Sequence, residues 1–472
     1  MQRQKPATFE AVSNIHNSNE GILRERKKRT TGIPMSEVAK HNTRSDCWMV
    51  IEDKVYDVTS WIDKHPGGDL ILSYAGLDAT DVFDAFHADS SYKILPAYCI
   101  GHVTEHKISP FLQEHRDLRK FLKEENLFVS SKLFYCYKLL FNMSLIALSF
   151  IFMINFGTTL WGKALAILTL TFFWQQCGWL SHDLSHHQVF KNRKYNNLAA
   201  YFIGNVCQGF SLSWWKQKHN LHHAVPNVAG FDPDIDTLPF LAWSELLIEG
   251  ELTGIPHFMV KFQYIFFFPL LAAARISWLI QSLLYAYNKG KKNRNLEISA
   301  LLAHYAWFGY LSFGFISFYE GVVFVLMSQF ITGMLLAFAF SLNHNGMSIV
   351  DHTNFRISGD MDFSKIQVIT GRDIRGGPFN FFHWFMGGLD MQIEHHLFPG
   401  LPRHNLKKIQ DKVLSKCKQY GIDYHQTGFW EGLQELVSRL KAVSERINSQ
   451  SMKDQHLEEE SRETQKGARH LG

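Results

Sequence analysis

The chain has 472 residues, with 48 Lys plus Arg against 44 Asp plus Glu and a formal charge of only +4, so no basic surplus points to a nucleic-acid partner. Hydrophobic residues make up 46% and charged residues 19%, which excludes a mainly disordered chain. Cys47, Cys99, Cys136, Cys177, Cys207 and Cys417 are scattered without CxxC spacing, so neither a disulfide framework nor a cysteine zinc site is indicated.

In chain order, residues 1–31 hold the run Arg24, Glu25, Arg26, Lys27, Lys28, Arg29 and no apolar stretch, predicting a disordered basic N-terminus without a cleaved secretory signal. Residues 32–106 read as a small α+β domain, with Trp48, Val50, Val55, Tyr56, Val58 and Trp61 in a strand-like pattern. His65, Pro66, Gly67, Gly68 form a tight turn that lets backbone approach a flat ligand, and His87 follows 22 residues later. This text resembles cytochrome b5, with Ala88 where that family usually has Pro. The resemblance implies a b-type haem (haem b) with His65 and His87 as axial ligands. Bis-histidine ligation leaves no open iron position and implies electron transfer rather than oxygen binding.

Residues 107–132 read as a linker, and 133–440 as an all-α membrane domain. Residues 139–180 contain one charge, Lys163, and residues 298–349 one, Glu320. At 1.5 Å per residue, a bilayer core of about 30 Å needs about 20 apolar residues. Each stretch therefore predicts a helical hairpin, 133–156 with 160–180 and 297–316 with 320–343, or about four crossings. A third run, 257–288, carries Lys261, Pro269 and Arg275 and is expected to lie at the interface. Two hairpins return the chain to its starting side. The basic clusters Lys191, Arg193, Lys194 and Lys289, Lys291, Lys292, Arg294 agree with both termini being cytosolic. The tail 441–472, mixed in charge and without periodicity, is expected to be disordered.

Three histidine boxes lie just outside the apolar runs: His182, His186 and His187; His219, His222 and His223; and His395 and His396 preceded by Gln392. On a helix each box presents one ligating face. Imidazole without thiolate suits iron, and eight histidines exceed what one ion takes, so two metals are indicated. The pattern HxxxHH, HxxHH and QxxHH resembles the membrane-bound fatty acid desaturases, specifically the front-end group, in which Gln stands where most sister enzymes have His. Asn380–Pro399 resembles the same group. The resemblance implies a non-haem di-iron centre (two non-haem Fe) held by those eight histidines, with Gln392 at or near the metal. It makes His344, in Asn343–His344–Asn345–Gly346, a further ligand position and leaves His383 open. The segment Asn227–Asp236 also resembles family text, but a solvated acidic loop is the expectation there.

The combined resemblance implies a membrane enzyme of the endoplasmic reticulum. O2 would be its co-substrate, a lipid acyl chain its substrate, and NADH the electron source through a separate cytochrome b5 reductase. A new cis double bond would form between the carboxyl end and an existing one, delta-6 first and delta-5 next. The alternatives are a sphingolipid delta-8 long-chain-base desaturase and a non-enzymatic membrane haem protein.

Overall fold

The computed structural model describes residues 32–469 except 249, 289–292 and 358–360. The N-terminal segment 1–31 and part of the second basic cluster lie outside the described residues. The chain divides into two compact units, Met1–Ser109 and Pro110–Gly472.

The first unit is built on β1 (Gly32–Pro34), β2 (Asn42–Thr43), β3 (Asp46–Ile51), β4 (Lys54–Asp57) and β5 (Cys99–Thr104), in the order β1-β5-β4-β3-β2. Strand β1 runs parallel to β5, and the other pairs are antiparallel. Val38, Val50 and Val55 are fully buried in its core. The haem-ligand candidates sit off the sheet, His65 after a 3-10 turn and His87 at the end of α1 (Thr80–Phe86).

In the second unit, residues 110–124 are not linker. They form α2 (Pro110–Glu124), whose Phe111, Leu112, His115 and Leu122 are buried. The spacing of these residues puts an apolar stripe on one helix face, and that face needs a partner. The first hairpin is α3 (Lys132–Phe156) and α4 (Leu160–Ser185), capped at its turns by Ser131 and Thr159. Between the first two histidine boxes a π-helical stretch, Tyr201–Gln208, leads into α5 (Leu212–Ala224).

The run expected at the interface is one continuous helix, α6 (Gln263–Asn288), whose Arg275 faces inward. Arg275 shares a single buried stripe with Gln263, Phe267, Leu271, Leu279 and Ser282. The Arg275 guanidinium stacks on Trp174 at 4.0 Å and donates to the Gln208 carbonyl at 2.8 Å. The second hairpin is α7 (Arg294–Phe313) and α8 (Phe318–His344), which opens with a Ser317/Glu320 capping box.

Among the described residues α3, α6 and α8 are long and apolar enough to cross a membrane. Helices α4 and α7 have crossing length, but Lys163, Gln175 and Gln176 in the first and Glu297 and His304 in the second dilute their apolar character. Lys163 near the start of α4 pairs with Glu320 at the start of α8 at 2.6 Å. This pair brings the two hairpin turns to one end of the bundle, so the far ends of α4 and α8, carrying His182 and His344, meet at the other.

There the chain continues through α9 (Phe363–Ile369), β6 (Asp373–Ile374), α10 (Gln392–Leu397) and α11 (Arg403–Gln419); β7 (Gln426–Thr427) pairs parallel to β6. The last helix, α12 (Phe429–Arg469), overturns the expectation of a disordered tail for 441–469. Leu436, Leu440, Val443 and Ile447 recur at helical spacing and are buried beside α6 and the loop before it. That apolar stripe is obscured by the charges around it in the sequence.

Candidate metal centre and haem site

The histidine boxes converge into two adjacent clusters. His182, His186, His219, His223 and His395 form the first, and His222, His344 and His396 the second, with candidate ligand atoms in each cluster within 4.8 Å of one another. Helix α4 supplies His182 and delivers His186 just past its end. Helix α5 gives three histidines in two turns, α8 ends on His344, and α10 carries the third box.

The geometry fits metal. Nε2 of His223 lies 3.0 Å from Nε2 of His219 and 3.1 Å from Nε2 of His395, and Nε2 of His344 lies 3.0 Å from Nε2 of His396. Two imidazole nitrogens about 2.1 Å from one ion at a right angle are about 3.0 Å apart. A single ring nitrogen cannot hydrogen-bond well to two others of its kind, whereas two such neighbours suit cis coordination. Nε2 of His182 and of His186 is buried without a hydrogen-bond partner, which is costly unless a ligand takes it. Burial holds His186 down to about 3. Burial first, then neighbouring histidines, holds His219, His223, His395 and His396 well below the usual imidazole range. These rings are neutral, the form that binds metal.

Outer partners aim the rings of the second cluster. His222 Nδ1 donates to Asp232 Oδ2 at 2.9 Å, and the same oxygen accepts from the Asn227 backbone at 2.7 Å. Burial opposes charge on His222, but Asp232 and Asp234 outweigh it and its pKa is raised. Asp232 is only 2% exposed, so the expectation of a solvated loop fails there, because a ligand-orienting carboxylate must be buried with its histidine. His344 Nδ1 donates to the Thr370 carbonyl at 2.9 Å, and His396 Nδ1 to Gln367 Oε1 at 2.8 Å.

Gln392 lies at this cluster, its Nε2 2.8 Å from His344 Nε2 and its Oε1 accepting from Asn343 Nδ2 at 3.0 Å. Asn343 Oδ1 is buried without a partner. Turning both amides over would satisfy that oxygen and present the Gln392 carbonyl to the cluster.

Other residues brace the site. Arg403 pairs with Asp183, beside His182, at 2.6 Å and donates to the Gly387 carbonyl at 2.7 Å, tying the first box to the chain around the third. Gly387, at φ +64°, lies so close to Trp179 that a Cβ would stand 2.2 Å from the indole. Behind the third box the Tyr424 hydroxyl reaches Glu394 at 2.8 Å and Asp373 at 2.5 Å, and burial followed by the Asp373 charge pushes Glu394 well above the usual carboxylate range. Asp183 is marked in the sequence by its place inside the first histidine box, next to His182; Gln367, Thr370 and Asp373 gave no signal.

His187 belongs to neither cluster. It has a left-handed φ of 60° and its Nε2 lies 3.3 Å from Lys216 Nζ. His383 is also outside, hydrogen-bonded to Asp390 at 2.9 Å.

In the first unit, the His65 and His87 rings face one another with centroids 5.9 Å apart. With each nitrogen about 2 Å from a shared iron, trans imidazoles have centroids about 6 Å apart. His65 Nδ1 donates to the Gly68 carbonyl at 3.2 Å and His87 Nδ1 to the Phe83 carbonyl at 3.1 Å, which orients each ring for ligation through Nε2. Burial lowers the pKa of His65. A Cβ at Gly67 would stand 2.9 Å from the His65 ring, so the glycine is part of the site.

Residues 158–428 match the family model described as Fatty acid desaturase, and 34–104 match that of the Cytochrome b5-like Heme/Steroid binding domain. The chain belongs to the fatty acid desaturase family. This desaturase is 42% identical over 420 residues to an "Acyl-lipid (9-3)-desaturase" of Physcomitrium patens, covering 87% of this chain and 78% of that one. It is 34% identical to a "Delta(8)-fatty-acid desaturase" of Helianthus annuus, covering 87% and 91%. With the "Delta(5) fatty acid desaturase fat-4" of Caenorhabditis elegans it shares 32% identity, covering 82% and 93%. The chain is thus an oxygen-dependent desaturase of the front-end type with a haem-binding cytochrome b5-like domain fused ahead of it, and its family is membrane-bound.

Proposed function

We propose that this desaturase inserts a delta-6 cis double bond into a polyunsaturated lipid acyl chain, on the carboxyl side of an existing double bond. The observation that carries the proposal is the meeting of eight buried histidines in two adjacent clusters, with Gln392 at the second. His182, His186, His219, His223 and His395 would hold one non-haem iron, and His222, His344 and His396 the other. Bound there, the iron pair would supply, with O2, the oxidising power to break an unactivated methylene C–H bond. The surrounding residues fix the imidazoles: Asp232, Thr370 and Gln367 hold Nδ1 of three of them, leaving Nε2 for metal.

His65 and His87 would hold the haem iron between them, and a haem so held would supply electron transfer rather than oxygen binding. Electrons would come from NADH through a separate cytochrome b5 reductase. Helices α3 with α4 and α7 with α8, as two hairpins, support a multi-pass placement in the endoplasmic reticulum membrane, with the histidine end and both termini cytosolic. The (9-3) designation of the moss relative supports delta-6 over delta-5.

The test is expression in a host lacking polyunsaturates, fed a panel of acids, with double-bond positions read by mass spectrometry. A new bond at carbon 6 is expected. Bonds at carbon 5 or 8 would reassign the position, and product on sphingoid bases alone would favour the long-chain-base reading. An enzyme loaded with haem and iron yet forming no product would leave a non-enzymatic haem protein.

A further inference from the structure

Residues 376–389, GGPFNFFHWFMGGL, contain no Asp, Glu, Lys or Arg, and Arg375 and Asp390 flank them. An apolar run of about 10–14 residues is too short to span a bilayer and has the length of a re-entrant or interfacial segment. Arg375 pairs with Glu431 at 2.6 Å where the run begins, and Asp390 ends it just ahead of α10. Between these charges the chain turns back on left-handed backbone at Gly377, Phe379 and Asn380. Glycine and asparagine suit such a φ; phenylalanine does not. Yet Phe379 is the most exposed large apolar side chain among the described residues, at 104%, and Phe381 beside it is 49% exposed.

The depth of the segment follows from what it touches. Its helical turn, Phe381–Phe385, packs on the middles of α3 and α4, where the Trp384 ring lies 6.3 Å from that of Phe141 and 5.5 Å from that of Phe172. Phe172 is 13 residues before the end of α4 at Ser185, or about 20 Å down the helix at 1.5 Å each. Gln175 and Trp179 of α4 donate to the Phe385 carbonyl at 3.1 and 2.9 Å, and Gln176 donates to the Trp384 carbonyl at 3.2 Å. Non-helical backbone at membrane depth must have its polar groups satisfied by protein. The three donors meet that need, and they explain why a helix of crossing length carries two glutamines. The exposed rings also continue the surface of α3. Tyr137, 58% exposed, meets Phe141 at 6.3 Å, and Trp384 meets Phe381 at 5.9 Å, so a row of rings runs from α3 to the tip.

We propose that residues 376–386 form a re-entrant segment immersed in the cytosolic leaflet of the bilayer, with Phe379 and Phe381 as its lipid-facing tip. The inference rests on the two-hairpin membrane placement above. In water the tip would expose aromatic rings on strained backbone, whereas among acyl chains the transfer of those rings out of water offsets the strain. The occupant is lipid, because the row of rings joins the tip to the exposed face of a helix that crosses the membrane. Helix α10 begins at Gln392, six residues past Met386. The immersed segment therefore fixes the depth of Gln392, His395 and His396 against the surrounding acyl chains.

The test uses the full-length enzyme, loaded with haem and iron, in phosphatidylcholine vesicles. The photoreactive p-benzoylphenylalanine, which under ultraviolet light bonds to a neighbouring C–H group, replaces one residue at a time: Phe379, Phe381, Leu140 of α3 or Lys418 of α11. Leu140 is 64% exposed on a crossing helix, and Lys418 is exposed on the chain beyond the third box. Mass spectrometry of the irradiated protein should show the added mass of one phosphatidylcholine at Phe379, Phe381 and Leu140, and none at Lys418. Lipid capture at Leu140 but at neither Phe379 nor Phe381 would overturn the re-entrant segment and leave the hairpins in place. Capture of a second protein chain at both tip positions, in place of lipid, would overturn it equally. No capture at Leu140 would refute the membrane placement itself, and the inference with it.

Discussion

The two histidine clusters differ in how they are built. The first gathers five imidazoles from three segments, and two of its nitrogens, on His182 and His186, have no partner but a prospective metal. The second gathers three imidazoles, each steered by an outer acceptor, and completes its wall with the amide of Gln392. Ligand number carries the first site; outer-sphere orientation carries the second. His223 joins them: its Nε2 faces His219 and His395 in the first cluster, while its ring stacks on His396 of the second at a centroid distance of 4.0 Å.

The largest effect is therefore expected at His223. His223→Ala should abolish product and release most non-haem iron, whereas His344→Ala should abolish product but retain iron in the first cluster. Metal analysis alongside product assay checks this, and equal iron loss in both variants would erase the distinction between the clusters.

Next comes Gln392→His, which installs the residue typical of sister enzymes. Imidazole is a stronger ligand with a different reach, so most activity should disappear at matched protein and iron content. Near-normal turnover would show that the amide does not shape the second cluster.

Asp232→Asn should act more mildly, weakening iron retention about 10–100-fold, as loss of an outer carboxylate on a ligating histidine commonly does. Competition with a graded series of chelators measures it. The loss should fall on the second cluster, since Asp232 contacts His222.

The smallest effect is expected far from the metals. Ser444 on α12 donates to the Lys261 carbonyl at 2.5 Å. Ser444→Ala should lower stability by about 1 kcal/mol, read as a small shift of the thermal midpoint with turnover unchanged.

The histidines were legible because their chemistry is written into spacing: HxxxHH and HxxHH place imidazoles on one helical face whatever the tertiary fold. Their division was not. His187 reads as well as His186 in the sequence, and only the left-handed backbone after α4 separates them. Asp232 looked like a solvated loop acid because its partner His222 is ten residues away across a turn. Gln367 and Thr370 were silent, since an outer acceptor is chosen by position and not by residue type. The inward face of α6 was not legible, because the local sequence shows Arg275 as a charge, while the fold stacks it on Trp174. Both hairpins were read within a few residues, because near-chargeless runs of crossing length have few alternative folds.

The most direct test of the two-cluster centre is iron stoichiometry. The purified full-length protein, anaerobically loaded, is assayed for total iron and haem, and its Mössbauer spectrum separates haem from non-haem iron. Two non-haem irons and one low-spin haem per chain are expected, with His344→Ala falling to one non-haem iron. A wild-type protein that saturates at a single non-haem iron, with His344→Ala unchanged, would contradict it.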